Sequence, residues 1–582
     1  MTATVSSQKT TVIVTPYSGD YRIDVLLPYE SARWNFGQVV GSRVTVTFSF
    51  MQTAPTYADA SDKKGFSVFN DAQKVATREI LHQISLQIGI DFLELNETSS
   101  NFGVIRLGNN NQGSVSAGYA IYPDTQDTRN AGDLYINNED PDNLVNITPG
   151  SGAWATLVHE IGHTLGLKHP GNYNAGEEAS TTPDNYLAAS EDTTSNTIMS
   201  YIDVRQGQQR DFFGKYDLLA LNYLYGARPF HASDDRYSFQ SSDGRVLKII
   251  NDTGGIDSID VSACDSEASI DLNPGANSSI GRTEIGSAAR NNVSIAFGSL
   301  IENVVGTRYD DTFLGNDLAN VLRGGGGDDV IDGGAGQDTA LYLGKRNDFA
   351  LSLSAGGFIV KDSNGSEGTD KLSHIENLQF ADMNINLTVA EKAKSISPAA
   401  LQSIIELYIA YFNRVPDADG MAYWIDQYKA NTTIEQIGKS FYNAAISPQF
   451  SALTHYSDSM SNVDFIRIIY ANVLGRNEVD QGGLDYWNKS LTDGSQTRGT
   501  LINTILYSAH GFKGRSDYGY VADLLDNKFL VGRFIAIDQG INYNTAEENY
   551  SQGVKIAALI TPTDTSAAIN LIGVHDAGFH LT

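Results

Sequence analysis

His159-Glu160-Ile161-Gly162-His163-Thr164-Leu165-Gly166-Leu167-Lys168-His169, followed by Pro170, is the stretch around which the chain is organised. On a helix, His159 and His163 lie four apart on one face, one turn above the other. Both imidazoles can then reach a single zinc ion. Glu160 follows the first histidine and can stand beside the metal without ligating it, as the base for attacking water. Gly166 can adopt positive φ, which ends the helix and turns the chain back. That turn brings in His169 as third ligand and leaves a fourth position open, the mark of a catalytic zinc site. Six fixed residues in this pattern occur by chance at roughly 10⁻⁸ per start position, so coincidence is set aside. The helix context is present. Ser151 can cap after Pro149-Gly150, and Trp154, Val158, Ile161 and Leu165 make an apolar stripe opposite the histidines.

A second element agrees. Ser195-Asn196-Thr197-Ile198-Met199-Ser200-Tyr201 follows, with Met199 thirty residues past His169. The histidine motif followed by such a methionine turn resembles the metzincin metallopeptidases. Tyr201, two residues after the methionine, is similar to the tyrosine of serralysins and astacins; matrixins have proline there. The resemblance implies that Met199 is structural. It also implies that Tyr201 is a weak, displaceable zinc ligand, free during turnover to donate a hydrogen bond to the reacting oxyanion.

At 582 residues the chain should hold three or four domains. Sixty-nine acidic against forty basic residues give −29, which argues against nucleic-acid binding. Only Cys264 is present, so no intramolecular disulfide can form. Astacins are normally disulfide-bonded, so this favours the serralysin resemblance. No basic n-region with an apolar run opens the sequence, and no run of 18 apolar residues exists. A cytosolic enzyme would fit these absences, and so would an exported protein with an uncleaved C-terminal signal.

Residues 1–20 are polar, and the resemblance makes them a candidate propeptide. Val44–Phe50 alternates as a strand, and residues 70–91 have helical spacing through Ala72, Val75, Ile80, Ile84 and Ile88. Residues 92–95, 103–107, 118–122 and 132–137 read as further strands before the zinc helix. The resemblance places an edge strand near 115–122, where a peptide could add by backbone pairing. Residues 170–200, including Tyr173, Asn174, Ala175 and Gly176, are loop-like. Asp217–Tyr225 reads as a helix stopped by Gly226. The catalytic α+β domain is thus expected over 21–229.

A second unit is expected over 230–390. A period of nine starts at Gly306, Gly315, Gly324 and Gly333, and residues 324–332 fit the calcium-binding parallel β-roll repeat. Phe313, Leu322 and Ile331 supply the core. Turns two apart should share an ion. One site would join Gly306, Arg308 and Asp310 to Gly324, Gly326 and Asp329. Another would join Gly315, Asp317 and Ala319 to Gly333, Ala335 and Asp338. Asn320 stands in turn two where aspartate is expected. Family analogy adds a site at Asp235, Asp252, Gly254 and Asp257, with His231 and Ser233 where the family usually has arginine and glycine.

From Lys394 the composition turns helical, and an all-α domain is expected over 394–582. Arg414, Asp417, Gly420, Tyr423 and Trp424 recur as Arg476, Asp480, Gly483, Tyr486 and Trp487. This resembles a helical domain of unknown function appended to exported bacterial proteins. The aromatics suit helix packing more often than a glycan-binding surface. Asp417-Ala418-Asp419-Gly420 lacks the distal glutamate of a calcium loop.

The expectation is a secreted, multidomain bacterial zinc endopeptidase similar to serralysin, made as a zymogen. One zinc would be catalytic and several calcium ions structural. Its partners would be protein substrates, type I secretion machinery, and a cell surface or glycan through 394–582. A calcium-dependent adhesin with an inactive protease-like domain is the rival, and the intact Glu160 argues against it. A cytosolic peptidase conflicts with the roll, whose sites typically need extracellular calcium of about 10⁻⁴–10⁻³ M.

Overall fold

The computed structural model describes residues 4–6, 15–28, 33–123, 129–173, 186–203, 207–476, 478–574 and 579–581. Much of the expected propeptide, and Asn174, Ala175 and Gly176, lie outside them. The chain forms two compact units: residues 1–320 with 324–326, and residues 321–323 with 327–582. The division falls among the glycine repeats, and strand pairing ties together the residues on either side of 230 and of 390. Gln209–Arg210 pairs in parallel with Val246–Ile250, tying the residues after 230 to the zinc-helix region. Met383–Asn386 pairs antiparallel with Ile541–Tyr543, tying the residues before 390 to the helical region.

In the first unit one sheet carries the site. Strands β1 (Thr4–Ser6), β2 (Val44–Phe50), β3 (Ile90–Glu94), β4 (Ile105–Asn110), β5 (Gly118–Ala120) and β6 (Asp133–Asn137) form it. β2 pairs in parallel with β1, β3 and β4, and β4 with β6. β5 runs antiparallel to β6 and ends the sheet, so its outer edge is open. Helices α1 (Asp71–Gln87), α2 (Gly152–Thr164) and α3 (Lys215–Tyr225) follow. Ile80, Leu81 and Ile84 of α1 and Trp154, Val158 and Ile161 of α2 share one core with Val46, Leu107 and Leu134. The expected face of α1 is partly displaced, since Ala72 and Val75 are exposed. Buried Gln73 takes that face instead, because its amide and that of Asn109 hydrogen-bond each other reciprocally at 2.8 and 3.1 Å.

Beyond the site, the first unit continues as short parallel strands. Ser258–Ala263 pairs with Arg236–Gln240 and with Asn303–Val305, and Ser269–Asp271 pairs with Thr312–Leu314. In the second unit Val321–Arg323 and Asn377–Gln379 flank Thr339–Leu341, all parallel. Phe313, Leu322 and Ile331 are buried, as the nine-residue period requires.

The helical region departs from an all-α domain by one strand, Ile541–Tyr543. This strand extends a sheet and leaves fewer unpaired backbone groups at its edge. Its main helices are α4 (Pro398–Phe412), α5 (Ala418–Lys429), α6 (Ile434–Ala445), α7 (Asn462–Leu474), α8 (Gln481–Thr492), α9 (Arg498–His510) and α10 (Gly519–Arg533). The duplicated residues are packing and capping groups. Asp417 and Asp480 cap α5 and α8, each accepting from the third residue on at 2.8 Å. The Trp487 indole N–H donates to the Tyr470 hydroxyl at 2.9 Å, and Trp424 packs on Phe441. Asp417 is therefore a helix cap paired with Arg414 at 2.8 Å. The copies differ in burial. Met421, Ala422 and Ile425 of α5 are buried, whereas α8 buries no residue, with Asp485 and Asn488 at the positions of Ala422 and Ile425.

Loss of a cap costs roughly 0.5–2 kcal/mol, and a largely shielded ion pair adds to that. Asp417→Ala should therefore lower the melting transition of this region more than Asp480→Ala. Calorimetry of the full chain checks this, and equal shifts would contradict it.

Candidate metal centre

Ser151 caps α2 by accepting from the Trp154 N–H at 3.2 Å. The apolar stripe of Trp154, Val158, Ile161 and Leu165 is buried. At the far end Gly166 has φ of 101° and reverses the chain. The last carbonyls of α2 do not go unpaired. The Trp34 indole N–H donates to Thr164 O at 2.7 Å, and the Tyr225 hydroxyl donates to Leu165 O at 2.8 Å.

This reversal brings three imidazoles together. His169 Nε2 lies 2.9 Å from His159 Nε2 and 3.1 Å from His163 Nε2. Four-coordinate zinc with Zn–N bonds of about 2.0–2.1 Å needs neighbouring nitrogens about 3.3 Å apart, so the set fits that ion. The outer nitrogens fix the tautomers. His159 Nδ1 faces Ile198 O at 2.8 Å and His163 Nδ1 faces Leu167 O at 2.7 Å. Each Nδ1–H donates to its carbonyl, leaving Nε2 as an acceptor aimed inward. Burial holds His159 neutral, with its pKa lowered to about 4, and lowers His163 further.

Glu160 is buried beside this cluster, and burial raises its pKa to about 8. Its Oε2 has no hydrogen-bond partner among the described residues. The open strand β5 passes close by. A Cβ on Gly118 would fall 2.9 Å from Glu160 Cγ, so only glycine lets the strand approach this far. A cavity of about 290 Å³ lies here, walled by Val115, Gly118, Ala155, His159, Glu160 and Arg210 among others.

Met199 is fully buried against Gly162, at the foot of the zinc helix. Tyr201 is 60% exposed, with its ring 4.5 Å from that of His169 and 5.9 Å from that of His159. The sequence motifs and the structure thus agree on six residues at one place: His159, Glu160, His163, His169, Met199 and Tyr201.

Two residues here had no expected role. Asp217, on α3, accepts from the backbone N–H groups of Ile198 and Gly214, each at 2.7 Å, and from the Thr197 hydroxyl. It therefore holds Ile198, the residue whose carbonyl orients His159. Tyr173 stacks on Tyr201 at 4.9 Å, donates to Asp192 at 3.0 Å, and accepts from the Tyr201 N–H at 3.2 Å. Neither carries a spacing signal, although Tyr173 lies only four residues past His169.

The expected calcium residues group differently. The carboxylates of Asp235, Asp252 and Asp257 come within 4.8 Å of one another. Asp257 is fully buried, and its Oδ2 lacks a partner, which suits a cation. Gly254 N–H donates to Asp252 Oδ1 at 2.8 Å. In the glycine repeats the sixth position is the buried one, occupied by Asp311, Asn320, Asp329 and Asp338. Asp310 and Asp317 are exposed. Asp311 accepts from the N–H groups of Thr307 and Ala268 at 2.6 Å each. Keeping the nine-residue phase strictly would have selected Asp311 over Asp310.

A twisted sheet with one antiparallel edge, a helix bearing two histidines, a third histidine after a glycine turn and a methionine turn beneath define a metzincin-type metal centre. The comparisons with known proteins agree. The Metallo-peptidase family M12 matches residues 35–213, and Peptidase M10 serralysin C terminal matches residues 219–410. Domain of unknown function (DUF4214) matches residues 442–513. A serralysin of Photorhabdus laumondii subsp. laumondii is 34% identical over 306 residues, 47% of this chain and 59% of that protein. Metalloprotease AprA of Pseudomonas entomophila is 33% identical over 332 residues, 53% of this chain and 66% of that protein. A serralysin of Proteus mirabilis is 33% identical over 330 residues, 50% and 64% respectively. The chain thus spans roughly three-fifths of the length of these relatives. Over residues 35–410 the chain is similar in sequence to serralysin metallopeptidases.

Because Asp217 acts on His159 through the backbone of Ile198, Asp217→Asn should weaken zinc retention. Residues that orient metal ligands typically contribute about 10–100-fold in affinity. Competition with a chromophoric chelator measures it, and wild-type zinc affinity would remove Asp217 from this role.

Proposed function

We propose that the chain is a secreted zinc endopeptidase, stabilised by calcium, that hydrolyses peptide bonds of extracellular proteins. The observation that carries this reading is the convergence of His159, His163 and His169 beside a buried carboxylate, next to an open strand edge. Bound zinc, held by the three histidines, would supply Lewis acidity toward the scissile carbonyl and the attacking water. A substrate strand adds to the free edge of β5, which aligns its backbone across Glu160. Glu160 takes the proton of the attacking water and returns it to the leaving amine. Tyr201 would be a further, displaceable ligand of the ion, and its phenol is placed to donate to the substrate's carbonyl oxygen as negative charge develops there.

The same reading divides the chain into a propeptide within 1–20, a catalytic domain over 21–229, a parallel β-roll over 230–390 and a helical domain over 394–582. Calcium would be held by Asp235, Asp252, Gly254 and Asp257, and by the turns of the roll. Export through type I machinery accords with such repeats, whose ions are available outside the cell. Among the described residues no helix is long and apolar enough to cross a membrane.

Hydrolysis of casein by the full chain, abolished by a zinc chelator and restored by zinc, is the expected result. Glu160→Ala should keep zinc yet lose activity; turnover near wild type in that variant would remove Glu160 as the base. Tyr201→Phe should retain zinc and lower kcat by about 10²–10³-fold with less effect on KM. Full kcat with full zinc would end the catalytic assignment of Tyr201.

Calcium removal should lower the melting temperature of the full chain reversibly, since Asp235, Asp252 and Asp257 repel one another without a cation. An unchanged melting curve in excess calcium chelator would contradict the calcium reading.

A further inference from the structure

Helices α4, α6 and α9 enclose a cavity of about 490 Å³ in the second unit, far along the sequence from the metal centre. At its wall stands Glu406, only 4% exposed. Both donors to this carboxylate use the same oxygen. Gln402 Nε2 lies 2.7 Å and His510 Nε2 2.8 Å from Oε1. The other oxygen, Oε2, receives neither of these bonds. A carboxylate oxygen left to solvent can exchange that water for the hydroxyl of a ligand.

The remaining polar lining is also unspent. The side chains of Ser403, Asn503 and Tyr507 face this cavity and make no hydrogen bond within the described protein. The Tyr507 ring is 83% exposed at the rim, while Ile434 and Leu506 provide an apolar floor. The charge is balanced. The bond to Glu406 raises the His510 pKa, and a protonated imidazole 2.8 Å away offsets the carboxylate's charge. Asp526 lies 3.6 Å from the other imidazole nitrogen and is itself paired with Lys513 at 2.5 Å.

These features select a ligand class. A cation would gain little from a carboxylate already neutralised by an imidazolium. An anion would meet the free Glu406 oxygen. A neutral molecule bearing several hydroxyls can donate to Glu406 Oε2, exchange hydrogen bonds with Asn503 and Ser403, and lay a C–H face on Tyr507. The volume lies within the range of about 300–1,000 Å³ usual for small-molecule sites. We propose that this cavity is a saccharide-binding site, with Glu406, Asn503 and Tyr507 as its recognition groups. The site would serve to attach the protein to glycans, independently of its peptidase chemistry. The duplicated tryptophans are not part of it, because they pack within the helices.

The test is saturation-transfer NMR on the full-length protein, with the methyl glycosides of glucose, galactose, mannose and N-acetylglucosamine as probes. At least one should bind with a Kd of about 1 mM or tighter. Tyr507→Ala and Glu406→Gln should each weaken that binding at least about tenfold, a difference of 1.4 kcal/mol, with peptidase activity unchanged. If Glu406→Gln disturbs folding by releasing His510, Asn503→Ala and Tyr507→Ala supply the same readout. No binding of any probe at about 20 mM would overturn the proposal, as would affinity unchanged in both Asn503→Ala and Tyr507→Ala. Binding of spermidine or lysine methyl ester in preference to the glycosides, lost in Glu406→Gln, would overturn the saccharide class.

Discussion

Three imidazoles converge, His169 Nε2 lying about 3 Å from both His159 Nε2 and His163 Nε2, an arrangement that bare packing would not favour. Much of the first unit holds it in place. Burial keeps His159 and His163 uncharged. The carbonyls of Ile198 and Leu167 take their outer protons and fix the tautomers. Each carbonyl is placed in turn by a separate device. The Gly166 reversal positions Leu167, and Asp217 grips the turn containing Ile198. Trp34 and Tyr225, from opposite ends of the domain sequence, close the end of the zinc helix. A divalent cation at the centre would satisfy the three acceptors together.

Glu160 shares this constraint from the other side. It is buried, one of its oxygens is unpaired among the described residues, and burial raises its pKa. A metal ion beside it would favour the charged form required of a base. The absent side chain of Gly118 matters as much as the carboxylate. It lets a strand edge run alongside Glu160, so the groups that bind a peptide backbone and the group that handles the proton meet in one cleft.

The helical region shows one motif meeting two environments. Asp417 and Asp480 cap their helices alike, and each copy sets its tryptophan edge-to-face against the preceding tyrosine. Yet α5 buries a face that α8 leaves in solvent. Local capping geometry was duplicated, while the surface chemistry was adapted: polar Asp485 and Asn488 replace apolar Ala422 and Ile425.

The three clustered histidines, Glu160, the methionine turn and the nine-residue repeats could be read from the chain alone. Their geometry is set by short, periodic spacings: four residues per helical turn and nine per glycine repeat. The tertiary structure decided what depends on segments remote in sequence. It brought Asp217 beneath Ile198, stacked Tyr173 on Tyr201 and buried Gln73 against Asn109. It also paired Ile541–Tyr543 with Met383–Asn386 and chose Asp311 over its neighbour Asp310 for the interior. A hydrogen bond between distant segments leaves no period in either one. Its partner is known only once the intervening chain has folded.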